Sequence, residues 1–286
     1  MVKDTSFQKK KSLRFRDSLF FIEKPVIMGI LNITPDSFYD GGKYNRLDKA
    51  VQHIQEMLTD GALIVDVGAV SSRPNAEIAS AQTEMEILRP FLNIFKKEFP
   101  DTWFSIDTYN ADTAALCVEE YGFYMINDIS ACSIDTALLD TVARLNVPYV
   151  LMHIQGTPQT MQQNPHYADV VNEVFQFLGQ KKFELTAKGI SDIIIDPGFG
   201  FGKTVQHNYQ LLKHLNDFRA LECPVLAGLS RKSMLNKLLN IKPENALNGT
   251  TVLNTVALLN GADIIRTHDV KEASEVIKII TYMQSV

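Results

Sequence analysis

Short apolar runs alternate with amphipathic stretches along almost the whole chain. Strands are predicted at residues 26–33, 62–67, 102–107, 123–128, 147–153, 192–196, 224–229 and 262–267. Buried parallel strands read as near-continuous apolar runs, as Ile193-Ile194-Ile195 and Leu63-Ile64-Val65 do. The intervening segments carry a helical period: Leu47, Val51, Ile54 and Leu58 precede Gly61, and Met85, Leu88, Leu92 and Phe95 precede Pro100. A long helix is expected from about Tyr167 to Lys188, ending at Gly189, and a last one from Val270 to about Met283. Strands alternating with helices demand right-handed parallel crossovers. Eight such units predict the α/β class and a single-domain (β/α)8 TIM barrel over residues 26–286. A doubly wound open sheet is the alternative on pattern alone. Residues 1–25 precede the first strand and are expected to be an N-terminal extension that closes the barrel's lower end.

In a barrel of this kind the chemistry sits at the C-terminal ends of the strands. Those ends deliver Asn32, Asp66, Asp107, Asn127 with Asp128, His153, Asp196, Ser230-Arg231-Lys232, and Arg266 with His268. Residues leaving a strand are often polar merely because they are solvated, and Asp and Asn favour turns. That reading does not account for Arg266 and His268, two apart and so on one side of the last strand, or for the similar depth of the groups ending strands three to six. Asp107, Asn127 and Asp196 suit a planar heterocycle bearing ring N–H and amino groups, since a buried carboxylate facing an aminopyrimidine edge accepts two parallel hydrogen bonds. Lys232, Arg266, Arg73 and His268 suit an anion such as a diphosphate, and Arg266 can also stack on a ring.

Composition narrows the function classes. The chain has 286 residues, 45% hydrophobic and 21% charged, enough for one large barrel or two ordinary domains, and the lack of a linker or composition break favours one. A net charge of −5 speaks against a nucleic-acid partner, which requires a basic surface. No apolar run approaches the roughly 20 residues that span a bilayer, and the N-terminus has no apolar signal core, so a cytoplasmic protein without a membrane partner is expected. The basic stretch Lys9 to Arg16 reads as a solvated arm. Cys117, Cys132 and Cys223 show no C-x-x-C spacing and read as reduced, core-packed thiols.

Gly198 to Thr204 resembles a phosphate loop only superficially. Three residues, not four, separate the glycines before Lys203, and a dinucleotide fingerprint fails because its third glycine comes one residue early. The glycines are expected to permit a tight loop near a ligand. His53, His207 and His214 read as surface or packing residues, and His153 and His166 lack a metal-ligand spacing.

Seven ordered blocks then become specific. They are Ile30-Leu-Asn-Ile-Thr-Pro-Asp-Ser-Phe38 continuing through Asp40-Gly41-Gly42, Asp66-Val-Gly with Ser71-Ser-Arg-Pro74, Ser105-Ile-Asp-Thr108, Asn127-Asp-Ile-Ser130, Asp196-Pro-Gly-Phe-Gly-Phe-Gly-Lys203, Ser230-Arg-Lys-Ser233 and Arg266-Thr-His268. Together they resemble the signatures of the dihydropteroate synthases, a family of pterin-binding TIM barrels. The resemblance implies condensation of 6-hydroxymethyl-7,8-dihydropterin diphosphate with p-aminobenzoate, in folate biosynthesis, by a homodimer that uses Mg2+. It implies that Asp107, Asn127, Met152, Asp196, Phe201, Lys232 and Arg266 hold the pterin. Asn32, Ser72, Arg73, Arg266 and His268 would hold the diphosphate, with Asn32 also meeting the metal. Phe38, Pro74 and Ser233 would form the p-aminobenzoate site, and Asp40, Arg73 and Lys232 would carry catalysis, Asp40 by steadying a loop-shielded pterin carbocation. Where the family commonly reads Gly-Gly-Glu-Ser-Thr-Arg-Pro-Gly, this chain reads Gly68-Ala-Val-Ser-Ser-Arg-Pro-Asn75, keeping Ser-Arg-Pro but losing a charge at Val70. Two other readings are a pterin-dependent methyltransferase barrel and a non-catalytic pterin-binding protein. Release of pyrophosphate in the presence of p-aminobenzoate separates all three.

Overall fold

The structure, a computed structural model, describes residues 11–33, 43–70 and 78–286. Eight parallel strands follow an N-terminal hairpin: β3 (Val26–Asn32), β4 (Ile64–Gly68), β5 (Trp103–Asp107), β6 (Met125–Asp128), β7 (Tyr149–Met152), β8 (Ile193–Asp196), β9 (Leu226–Gly228) and β10 (Ile264–Thr267). The hairpin is β1 (Ser12–Phe15) and β2 (Ser18–Phe21), paired antiparallel. The sheet runs β8-β7-β6-β5-β4-β3-β10-β9, and a bridge between Ile195 and Val225 joins its two edges. This is the (β/α)8 barrel that the alternation of elements predicts, and the joined edges rule out an open doubly wound sheet.

The helices that follow the strands are α1 (Lys43–Asp60), α2 (Ala81–Glu98), α3 (Ala111–Tyr121), α4 (Ala137–Leu145), α5 (Val170–Ala187), α6 (Val205–Lys213), α7 (Ser233–Leu239), α8 (Leu247–Leu259) and α9 (Val270–Ser285). The predicted start of the fifth helix at Tyr167 falls too early. Asp169 is its N-cap, with its carboxylate accepting from the Val171 and Asn172 N–H groups, so the helix begins one residue later at Val170. The seventh unit carries two helices, because α7 is a short insertion between β9 and α8.

Period-two alternation divides each strand between two cores. Val65, Val67, Phe104, Ile106, Ile126, Leu151, Ile193 and Ile195 face outward and pack with the helices. Met28, Ile64, Trp103, Met125, Val150, Ile194, Leu226 and Ile264 form a separate cluster inside the barrel. Leu13 of the hairpin is buried in that inner cluster, Phe15 stacks on Trp103 with ring centroids 4.6 Å apart, and Phe20 meets the same indole edge-on at 5.8 Å. Lys11 Nζ pairs with Asp263 Oδ2 at 2.5 Å just ahead of β10. The hairpin therefore covers the N-terminal mouth of the barrel, and the opposite mouth is left for polar groups.

Candidate active site

Above the apolar layer, the same inward parity places Asp66, Ser105, Asp107, Asn127, Met152, Asp196, Gly228 and Arg266 on the cavity side. Strand register sets Asn32, Gly68, Asp107 and Asn127 side by side across four strands. Gly68 leaves space in that row: a Cβ there would lie 3.4 Å from Asp107 Cβ and 3.8 Å from Asn32 Oδ1.

Arg266 is the bridge of this layer. Its Nε donates to Asp66 Oδ2 at 2.7 Å and its Nη2 to Asp107 Oδ2 at 2.6 Å, while Asn127 Nδ2 donates to Asp66 Oδ2 at 2.8 Å. Burial raises the Asp107 carboxyl to about 7, with Arg266 opposing the rise and Asp66 adding to it. Burial also lowers the Arg266 guanidinium, but Asp66 and Asp107 more than reverse this and hold it above its ordinary range. Asp66 Oδ1 and Ser105 Oγ are buried without a hydrogen-bond partner among the described residues.

Asp196 and Lys232 stand on the other side. Asp196 is buried and accepts the Gly198 N–H at 2.7 Å; burial raises its carboxyl, and the Lys232 charge opposes that rise. Lys232 donates to the Phe199 carbonyl, and its ammonium lies 4.8 Å from the centre of the Phe201 ring. Desolvation brings Lys232 down to about 8 despite Asp196. Met152 and Phe201 share a small apolar cluster with Tyr109, Ile129, Ile154 and Met161. Val70 packs on the same cluster, so the departure in the second motif places an apolar residue on an apolar wall.

At the rim, Ser230 Oγ accepts the His268 backbone N–H at 3.3 Å and lies 3.0 Å from His268 Nδ1. The contact holds the imidazole against the loop after β9 in either tautomer, with the serine hydroxyl as donor or as acceptor. Desolvation, then the Arg266 charge, lowers this imidazole to about 4, so it is neutral near pH 7. Arg231, in the left-handed region at φ 54°, grips Asp269 through Nη2 at 2.6 Å and Nε at 3.2 Å, tying the loop after β9 to the one after β10. Asn32 and Ser233 are exposed at the same mouth. Phe38, Asp40, Ser72, Arg73 and Pro74 lie outside the described residues.

Two strand-end groups face away from the cavity. Asp128 follows the inward Asn127 and must point outward, where it accepts from the Ser130 and Cys132 N–H groups at 2.7 and 2.6 Å and from the Tyr149 hydroxyl at 2.7 Å. His153 lies one residue beyond Met152 and turns out to meet Lys203. Asp66, in sequence a polar strand end and the start of the second motif, takes a central place here; its position inside the apolar run Ile64-Val65-Asp66-Val67, on the parity of Ile64, is the signal for it. A cleft of about 830 Å3 lined by Tyr167, Asn172, Phe175, His207 and His214 lies between α5 and α6, outside the barrel interior.

A closed parallel barrel whose carboxylates, amides and cations meet at the carboxyl ends of its strands is the build of an enzyme. The pattern of the family described as pterin binding enzyme matches residues 28–268, and the chain belongs to that family. Within it, the chain stands with the dihydropteroate synthases, which are transferases. It is 44% identical over 257 residues to dihydropteroate synthase of Haemophilus influenzae, covering 89% of this chain and 92% of that one. A Yersinia pestis dihydropteroate synthase in a sulfonamide drug complex superposes with a TM-score of 0.89 at 40% identity, covering 96% of this chain and all of that one (100%). The Xanthomonas albilineans dihydropteroate synthase with 4-aminobenzoic acid superposes with a TM-score of 0.89 at 35% identity, covering 97% and 100%.

Proposed function

We propose that the upper layer of the barrel holds 6-hydroxymethyl-7,8-dihydropterin diphosphate and that the chain joins it to p-aminobenzoate, giving 7,8-dihydropteroate and diphosphate. The observation that carries this reading is the Arg266 bridge between Asp66 and Asp107, with Asn127 on the same carboxylate. It assembles acceptors, an amide and a flat cation around one space, as a bicyclic ring with amino and ring N–H edges requires. The relative solved with 4-aminobenzoic acid supports the second substrate.

In this reading Asp107, Asn127, Asp196 and Lys232 grip the pterin edges, with Met152 and Phe201 as its apolar wall. Arg266 lies over the ring, and His268 meets the diphosphate at the rim. Asn32, Ser72 and Arg73 complete the diphosphate site, and Phe38, Pro74 and Ser233 form the side that meets p-aminobenzoate. The bond between the pterin methylene carbon and the diphosphate oxygen breaks, and its electron pair leaves on that oxygen. The resulting cation is delocalised into the ring and steadied by Asp40, while loop closure keeps water out. The neutral aniline nitrogen then donates its lone pair to the carbon and loses a proton to solvent.

The residues present fit a magnesium ion carried mainly by the substrate. Asn32 offers one exposed amide oxygen beside Gly68, and no cluster of three ligating side chains occurs among the described residues. Such a hard ion takes one or two protein oxygens and fills its remaining positions with phosphate and water. When bound it would neutralise charge on the departing diphosphate.

A homodimer is part of the same reading. Leu238 and Leu239 end α7 and Leu247, Val252 and Leu259 lie on α8, all exposed, an apolar surface suited to a second copy. Sedimentation should give twice the chain mass, and Val252→Arg with Leu259→Arg should shift it toward the monomer. No helix among the described residues is long and apolar enough to cross a membrane, and Cys117 and Cys132 are free thiols, in keeping with a cytoplasmic setting.

The deciding experiment supplies both substrates and Mg2+ and follows dihydropteroate and pyrophosphate together. Product at one pyrophosphate per turnover, strongly reduced in Lys232→Ala and Arg266→Ala, is expected. Tight pterin binding without turnover would overturn the assignment in favour of a binding protein. Pterin-dependent methyl transfer without pyrophosphate would favour the methyltransferase reading.

A further inference from the structure

Lys203 is buried, at 3% exposure, and the chemistry above does not use it. Its ammonium lies 2.9 Å from His153 Nδ1 and donates to the carbonyls of Gly198 at 2.9 Å, Phe201 at 2.9 Å and His153 at 3.3 Å. No carboxylate lies within ion-pair distance among the described residues; burial lowers the amine well below its ordinary range, and Asp196 opposes this only from further away. Burying an ammonium is costly unless its protons are all engaged. Three carbonyls and an imidazole nitrogen around one Nζ engage every hydrogen that a primary amine carries, so the site is shaped for that head group.

The acceptors show what the contact holds. They lie on the turn from Gly198 to Gly202 and on the end of β7. The turn is pressed tightly against that end: a Cβ at Gly198, where φ is +73°, would lie 1.9 Å from the His153 carbonyl oxygen. The same turn caps Asp196 through the Gly198 N–H, offers the Phe199 carbonyl to Lys232, and sets the Phe201 ring beneath the Lys232 ammonium. Tyr167 and Asn208 hold its outer side, at the Gly202 carbonyl and the Gly200 N–H, and neither reaches the carbonyls that Lys203 binds.

We propose that Lys203 is a positioning residue for the heterocycle wall, acting on Asp196 through Gly198 and on Lys232 through Phe199 and Phe201. The inference rests on the reading of Asp196 and Lys232 as pterin-binding residues. It implies a selective effect, because p-aminobenzoate is assigned to a different side of the mouth.

The test compares Lys203→Met, Lys203→Arg and Lys232→Ala in the full chain. It measures KM for both substrates, kcat, and the Kd of dihydropterin diphosphate by fluorescence, with circular dichroism and thermal unfolding as the check on folding. Lys203→Met should raise KM and Kd for the pterin substrate about tenfold, while KM for p-aminobenzoate stays within about twofold. Lys203→Arg keeps the charge but brings a planar fork to a site shaped for three diverging protons, and should raise the same two constants about threefold. A merely structural role would lower the melting temperature and the amount of active enzyme while leaving both KM values unchanged; that result in whichever Lys203 variant folds overturns the proposal. An equal rise in both KM values overturns it as well. Undiminished pterin binding in Lys232→Ala would instead sink the reading of the site, so the two failures are distinguishable.

Discussion

The lower and upper layers of the barrel interior are built from the same strands, two to four residues apart, yet they do opposite work. Below, Met28, Ile64, Trp103, Met125, Val150, Ile194, Leu226 and Ile264 fill the barrel with Leu13 beneath them. Burying such side chains stabilises the fold by about 1.5–3 kcal/mol each. Above, Asp66 Oδ1 and Ser105 Oγ are buried with no partner among the described residues, and Asp107 is pushed up to about 7. The upper layer is thus held against its own preference by the rigidity of the lower one. Preorganised polarity of this kind favours a ligand that brings the missing partners.

The separation of the layers breaks most visibly in a pair of substitutions. Arg266→Ala removes the cation that bridges Asp66 and Asp107 and faces the substrate, and should lower kcat/KM by about a thousandfold, as loss of a preorganised charge-stabilising group does. Trp103→Ala should instead cost about 3–5 kcal/mol of stability in urea unfolding, with kcat/KM per folded molecule unchanged. Loss of catalysis in folded Trp103→Ala would mean that the layers are not independent.

Asp66→Asn keeps the shape but removes a charge, so Asp107 loses a repelling neighbour and should titrate below 7. The acid limb of pterin binding should then move to lower pH, with affinity down about tenfold from the weakened Arg266 pairing. An unmoved acid limb would detach Asp107 from binding.

Asp107 also predicts a pH slope of stability. Its ordinary value is 3.8 and its folded value about 7, so between these the native state holds a proton that the unfolded chain releases. Its contribution to stability therefore falls as pH rises from about 4 to 7, and is fully restored only below the ordinary value. Asp107→Asn should flatten this part of the slope in urea midpoints taken from pH 5 to 8. An unaltered slope would mean that Asp107 ionises as freely as in water.

The smallest effect is expected at the rim. Ser230→Ala frees the His268 ring and should raise KM for the pterin diphosphate about threefold, with stability changed by less than about 1 kcal/mol. No change in KM would leave the serine a loop contact alone.

Much of the barrel was legible beforehand because hydrophobic period is a local property. The eight apolar runs become the eight strands with ends shifted by a few residues, and Val270 begins the last helix as its pattern predicts. Local reading fails where direction matters. Polar strand ends looked equivalent, but Asn127 and Asp128 are neighbours and cannot face the same side; Asp128 instead holds the turn at Ser130 and Cys132. His153 ends its run as Asp107 does, yet it is tied to Lys203 outside the cavity.

By itself, the sequence determined the number and order of the strands and the kinds of polar group at each end, since these depend on neighbours two to four residues away. Tertiary structure alone decided that Arg266 would clasp Asp66, 200 positions earlier, that Lys203 would gather the carbonyls of a glycine turn against β7, and that Leu13 would fill the lower mouth. Those contacts exist only once Ile195 meets Val225 and the sheet closes, because closure is what brings the first, middle and last strands around one axis.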